Sequence, residues 1–107
     1  MQTRTALALL LLPVLAASAT AGAGVTVGQK DKQFSQETVA LKRGDAVRFV
    51  NDDAVTHNLT VRDPSGANRP GVVQKPGDTT EITFDASGRY SVMCLIHPKM
   101  KMAVQAD

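Results

Sequence analysis

The sequence predicts an all-β domain, an antiparallel β-sandwich of about seven to eight short strands. Three observations carry that reading. Apolar residues recur with a period of two in short runs, no run is long enough to display a helical stripe, and clusters of turn-forming residues separate the runs at near-regular spacing.

Val25-Thr26-Val27 opens the first strand, and residues 37–41 form another. Lys42-Arg43-Gly44-Asp45 turns the chain into residues 46–50, where Val47 and Phe49 alternate with polar or smaller neighbours. Leu59-Thr60-Val61 is a short strand, followed by a loop over 63–71 dense in proline, glycine, aspartate and asparagine. Lys75-Pro76-Gly77-Asp78 reads as a turn in which proline supplies a fixed φ and glycine tolerates a positive one. Residues 79–84 alternate again, with Ile82 and Phe84 on one face. Asp85-Ala86-Ser87-Gly88 then leads into a strand over 89–93, and residues 101–106 close the series. Lys30-Asp31-Lys32-Gln33 reads as a solvated turn. The chain has no internal repeat, low-complexity tract or interdomain linker.

Residues 1–19 have the features of an export signal rather than of a folded element. Arg4 gives a positive start, an apolar stretch over 6–15 is broken only by Pro13, and Ala17-Ser18-Ala19 is a small-residue cleavage pattern that ends the signal at residue 19; Ala21-Gly22-Ala23 offers a second, with cleavage after residue 23 as the alternative. The apolar stretch is well short of the roughly 20 residues a membrane-spanning helix needs. Residues 20–107 then make one small exported domain. The formal net charge is +2, and Arg4 contributes one unit of it, so the domain is close to neutral and gives no reason to expect nucleic acid as a partner.

The sequence contains one cysteine, Cys94, which excludes an internal disulfide. A lone cysteine in an exported chain is reactive, paired between chains or bound to something. Bound metal would protect the sulfur and also tie together a core whose aromatics are Phe34, Phe49, Phe84 and Tyr90. His97 follows Cys94 by three residues, Met100 and Met102 lie just beyond, and His57 stands upstream. One thiolate, two imidazoles and a thioether form the ligand inventory of a mononuclear blue-copper centre: the soft thiolate favours Cu(I), imidazole suits both oxidation states, and a weak axial thioether leaves the potential adjustable. Two imidazoles and one thiolate also suit zinc, although copper normally binds such ligands more tightly. Cys94 and His97 as thiolate and base of an enzyme is the weaker alternative, since the chain offers no evident oxyanion hole or substrate cleft.

Val55-Thr56-His57-Asn58, together with Cys94-x-x-His97-Pro98-x-Met100, resembles the small blue-copper proteins, the cupredoxins of the plastocyanin, pseudoazurin and amicyanin group, and is most similar to the amicyanin-like members. The likeness runs through nearly all of residues 20–107. It implies a Greek-key sandwich; one copper ion held by His57, Cys94, His97 and Met100; and Asn58 bridging the two ligand segments by hydrogen bonding. Met100 fits the amicyanin-like spacing, and Val104 stands four residues after it as a valine usually does in these families. Met102 fits the plastocyanin-like spacing and remains the alternative. Leu95-Ile96 departs from the threonine or serine followed by proline common in relatives, and Lys99 stands where amicyanin-like chains carry a large apolar residue.

The function implied is that of a periplasmic electron carrier, not an enzyme, passing single electrons between a protein donor and a protein acceptor (a dehydrogenase, cytochrome or oxidase) and working as a monomer. Electrons would cross at the exposed edge of His97, amid an apolar patch to which Leu95 and Pro98 contribute. Lys99 and Lys101 either bias its rim towards an acidic partner or are solvated strand-end lysines. The alternative function is periplasmic copper delivery or resistance, motivated by the extra thioether of Met102.

Overall fold

Nine strands occur among the described residues, 24–107 of a computed structural model. The expected signal and both cleavage patterns lie outside the described residues. The strands are β1 (Val25–Lys30), β2 (Gln33–Phe34), β3 (Thr38–Leu41), β4 (Ala46–Asn51), β5 (His57–Arg62), β6 (Val72–Gln74), β7 (Thr79–Thr83), β8 (Gly88–Cys94) and β9 (Lys101–Ala106). They form two facing sheets, ordered β2-β1-β4-β7 and β3-β9-β8-β5-β6. This is the Greek-key sandwich expected from the sequence, with β1–β4 and β3–β9 pairing in parallel and the other pairs antiparallel. The short strands β2 and β6 have no counterpart in the sequence reading. Each is too brief to establish a period of two and is held by pairing with a longer neighbour.

Alternation places the core. Val47, Phe49 and Asn51 of β4 point inward, as do Tyr90, Val92 and Cys94 of β8 and His57, Leu59 and Val61 of β5. Phe49, Phe84, Tyr90, Leu59 and the buried valines fill the space between the sheets. The two polar ends of these runs follow from the same period: His57 opens the inward face of β5, and Cys94 closes that of β8. Because β5 and β8 are antiparallel with Leu59 opposite Cys94, both side chains reach the same end of the sandwich.

The two lysine-to-aspartate turns are built alike. In residues 42–45 and 75–78 the aspartate carboxylate accepts from the lysine N–H (3.2 and 2.9 Å), and the aspartate N–H donates to the lysine carbonyl (3.0 and 3.0 Å). Gly44 and Gly77 take φ of 91° and 88° at the third position, where a type II turn requires a positive value. Opposite the ligand end, Tyr90 Oη donates to the Ala86 carbonyl (2.8 Å) and accepts from its N–H (2.9 Å), pinning the corner before β8. Among the described residues no helix is long and apolar enough to cross a membrane.

Candidate metal centre

His57, Cys94 and His97 converge at one end of the sandwich. Nδ1 of His57 lies 3.1 Å from Nδ1 of His97, and Sγ of Cys94 lies 3.7 Å from the first and 3.6 Å from the second. A circle through three points at those separations has a radius of about 2.0 Å, close to the roughly 2.0 Å of a metal–imidazole bond and the 2.3 Å of a metal–thiolate bond, with zinc as the gauge. Three soft or borderline donors facing a common point at bonding distance fit a single transition-metal ion. Among the described residues they form the one such group of His, Cys, Asp or Glu side chains.

Local structure fixes each donor. His57 is fully buried at the start of β5, and its Nε2–H donates to Asp53 Oδ2 at 2.8 Å. That bond assigns the proton to Nε2 and leaves the Nδ1 lone pair facing the sulfur. Cys94 is buried as a free thiol, and Sγ accepts the Asn58 N–H at 3.3 Å. The segment after it forms a tight loop: Met100 N–H donates to the His97 carbonyl (2.9 Å), and Cys94 N–H donates to the Met100 carbonyl (3.2 Å), so the neck is closed by main-chain bonds. His97 is half-buried on this loop, its ring meeting that of His57 edge to face at 72°. Met100 is 2% exposed yet outside the hydrophobic cluster between the sheets, whereas Met102 is a member of that cluster and pairs across from Val92.

Asn58 links the two ligand segments through its main-chain N–H to the sulfur. Its carboxamide oxygen instead accepts from Thr60 Oγ1 at 2.8 Å, and the group lies against Gly71, where a Cβ would come within 2.8 Å of it. The absence of a side chain at Gly71 is what leaves the carboxamide room on that side.

Asp53 was not among the residues singled out from the sequence. Its Oδ2 accepts from both His57 and the Lys32 N–H (2.8 Å), so it ties the β1–β2 turn to the buried imidazole. The Lys32 N–H above all, then His57 and the N–H groups of Asp31 and Ala54, hold its carboxyl down from the ordinary 3.8 to about 2, against an opposing desolvation. The available signal was a carboxylate four residues before the histidine, in a polar loop whose path a sequence does not define.

The four large apolar side chains left exposed among the described residues, Val55, Val73, Leu95 and Ile96, all belong to this end: Val55 precedes His57, Val73 lies opposite Asn58 on β6, and the other two sit between Cys94 and His97.

Residues 21–106 match the family model of copper binding proteins, plastocyanin/azurin family. Amicyanin-alpha of Methylorubrum extorquens is 32% identical over 77 residues, covering 70% of this chain and 65% of that protein. Chloroplastic plastocyanin of Chlamydomonas reinhardtii is 32% identical over 73 residues, 61% of this chain and 50% of its own length. The matched stretch thus spans about two thirds or half of these relatives. The crystal structure of amicyanin from Paracoccus versutus superposes with a TM-score of 0.72 at 25% identity, covering 85% of this chain and 88% of the other.

Proposed function

We propose that this chain, which belongs to the plastocyanin/azurin family of copper-binding proteins, is a blue-copper electron carrier that passes single electrons between redox partner proteins in the periplasm. The observation that carries the reading is the convergence of His57 Nδ1, Cys94 Sγ and His97 Nδ1 about one point at bonding distance. His57, Cys94 and His97 would hold the ion through two imidazole nitrogens and the thiolate, with the thioether of Met100 as a fourth, weaker donor. Support for Met100 comes from its burial outside the core cluster, while Met102 is occupied with packing between the sheets. Copper bound here supplies a one-electron couple between Cu(I) and Cu(II).

The chain's part is to keep the donors still while charge changes. The closed neck at Cys94 and Met100 holds the ligand loop, the Asn58 N–H disperses charge on the sulfur, and Asp53 fixes the tautomer and ring plane of His57. Small rearrangement on gaining or losing an electron favours fast exchange. His97 is the half-exposed ligand among buried ones, so electrons cross at its outer edge, and Val55, Val73, Leu95 and Ile96 give that end a dry contact surface. Lys99 and Lys101 border it, which favours an acidic partner and a salt-dependent association rate.

The test is to purify the exported protein, measure its metal content and visible spectrum, and follow electron exchange with a small cytochrome by stopped flow. One copper per chain, an intense thiolate-to-copper band on oxidation and fast reversible exchange are expected. Absence of the band from copper-loaded, oxidised protein would overturn the ligand assignment. Transfer of the metal itself to an acceptor, without electron exchange, would replace the carrier role by copper delivery.

A further inference from the structure

Three carboxamide side chains, Gln29, Asn51 and Gln74, are fully buried between the sheets beneath the metal end. Gln29 Nε2 donates to Gln74 Oε1 at 2.5 Å, and Gln74 Nε2 donates to the Phe49 carbonyl and to Thr80 Oγ1, each at 3.0 Å. Among the described residues, Gln29 Oε1 has no hydrogen-bond partner. An unsatisfied buried oxygen carries a penalty that an apolar side chain of similar volume would avoid. Stability alone therefore does not explain why this stretch of the core is polar.

Asn51 is where the cluster meets the ligand segment. Its Nδ2 donates to the Gln74 carbonyl and to the Val55 carbonyl, both at 2.9 Å, and its Oδ1 accepts the Asp53 N–H at 2.9 Å. Its main chain is held as well, with N–H to the Asp78 carbonyl (2.9 Å) and carbonyl to the Gly77 N–H (2.8 Å). One carboxamide thus grips both sides of the 52–56 loop and anchors it to β6, the strand on which Gln74 sits opposite His57. Asp53, placed by that grip, gives its Oδ2 to His57 Nε2.

We infer that Asn51 is a positioning residue for the metal centre: acting through Asp53, it fixes the ring of His57 and thereby the relative stability of the two copper oxidation states. Gln74 is its anchor, and the polar core of Gln29 and Gln74 is retained to hold that anchor. The inference rests on His57 being a ligand. The chain of bonds runs Gln74 carbonyl, Asn51 carboxamide, Asp53 N–H, Asp53 carboxylate, His57 Nε2–H, and each link is a direct contact. A carboxylate or carbonyl partner on a ligating histidine governs ring orientation and ligand basicity; a loop free to move would let both vary.

The test begins with hydrogen exchange in the metal-free wild-type protein by NMR. The Asn51 side-chain amide, the Asp53 N–H and the His57 Nε2–H are expected to open together, with exchange protection equal within about threefold. A His57 Nε2–H that exchanges at least tenfold faster than the Asn51 amide would overturn the inference without any variant. Asn51→Ser and Asn51→Ala are then compared with Ile82→Val, which trims the apolar core and removes no link of the chain from Gln74 to His57. In the Asn51 variants His57 Nε2–H exchange should rise at least tenfold, and in the copper-loaded protein the Cu(I)-to-Cu(II) preference should shift at least threefold, about 30 mV at 59 mV per tenfold. Ile82→Val should lower the melting temperature and leave both quantities near wild type. Equal responses in all three variants would reduce Asn51 to a structural role and reject the proposal. Should both Asn51 variants fail to fold, the wild-type exchange pattern decides. Failure here leaves the visible band and electron exchange of the wild type intact, whereas failure of the carrier reading removes those and leaves the exchange pattern.

Discussion

Nδ1 of His57 and Nδ1 of His97 approach within 3.1 Å, although 40 residues separate them in the chain. With the His57 proton committed to Nε2 by Asp53, its inward nitrogen is an acceptor pressed against a second ring nitrogen and a sulfur. Such crowding of lone pairs is costly unless a proton or a cation lies between them, and a cation satisfies all three donors at once. Metal loading is therefore expected to stabilise the fold.

Cys94→Ser tests the sulfur. The oxidised, copper-treated variant should lack the intense visible band, and the rise in melting temperature that copper gives the wild type should shrink to a small fraction. The metal-free melting temperatures should stay close, because serine fills nearly the same buried volume. An unchanged spectrum would remove Cys94 from the ligand set.

The two methionines should separate cleanly. Met100→Leu should keep the colour and raise the reduction potential, on the order of a tenfold shift in favour of Cu(I), about 59 mV, because a weak donor that helps the oxidised ion is lost. Met102→Leu, a volume-conserving swap in the core, should cost less than about 1.5 kcal/mol and leave the potential within error. Voltammetry and denaturant titration of both variants check this; the reverse pattern would make Met102 the axial ligand.

The β1–β2 turn holds two non-glycine residues in the left-handed region, Asp31 at φ 52° and Lys32 at φ 57°. Lys32→Gly relieves a penalty of roughly 1–2 kcal/mol and adds about 0.5–1 kcal/mol of chain freedom to the unfolded state. A net gain of about 0.5–1 kcal/mol in urea unfolding is expected. The main-chain N–H to Asp53 survives the change, so the potential should not move.

Asp53 gives the fold a pH dependence of known sign. Its carboxyl lies at about 2 instead of 3.8, so the folded protein favours the ionised form. That contribution is fully present well above 3.8 and is lost progressively as pH falls through 3.8 to about 2. Asp53→Asn cannot make it. In the metal-free protein the stability advantage of wild type over Asp53→Asn, followed as the urea midpoint, should narrow between pH 5 and pH 2; a constant or widening gap would contradict the assignment.

The candidate donors were legible in the sequence because metal chemistry limits the residue types, and the spacing of Cys94, His97 and Met100 reflects one short loop. Strand alternation was legible for the same kind of reason: Val47 with Phe49 and Tyr90 with Val92 declare an inward face without reference to anything distant. The sequence by itself thus determined an all-β sandwich, its principal strands and a set of candidate donors. Only the tertiary structure decided that His57 reaches Cys94, that Met102 belongs to the core while Met100 does not, and that Asp53 and Asn51 stand behind the imidazole. Local periodicity and ligand chemistry act within a few residues. A hydrogen bond from a buried carboxamide to a loop, or the choice between two thioethers two positions apart, depends on which strands pair and in what register, and that follows from packing the whole chain at once.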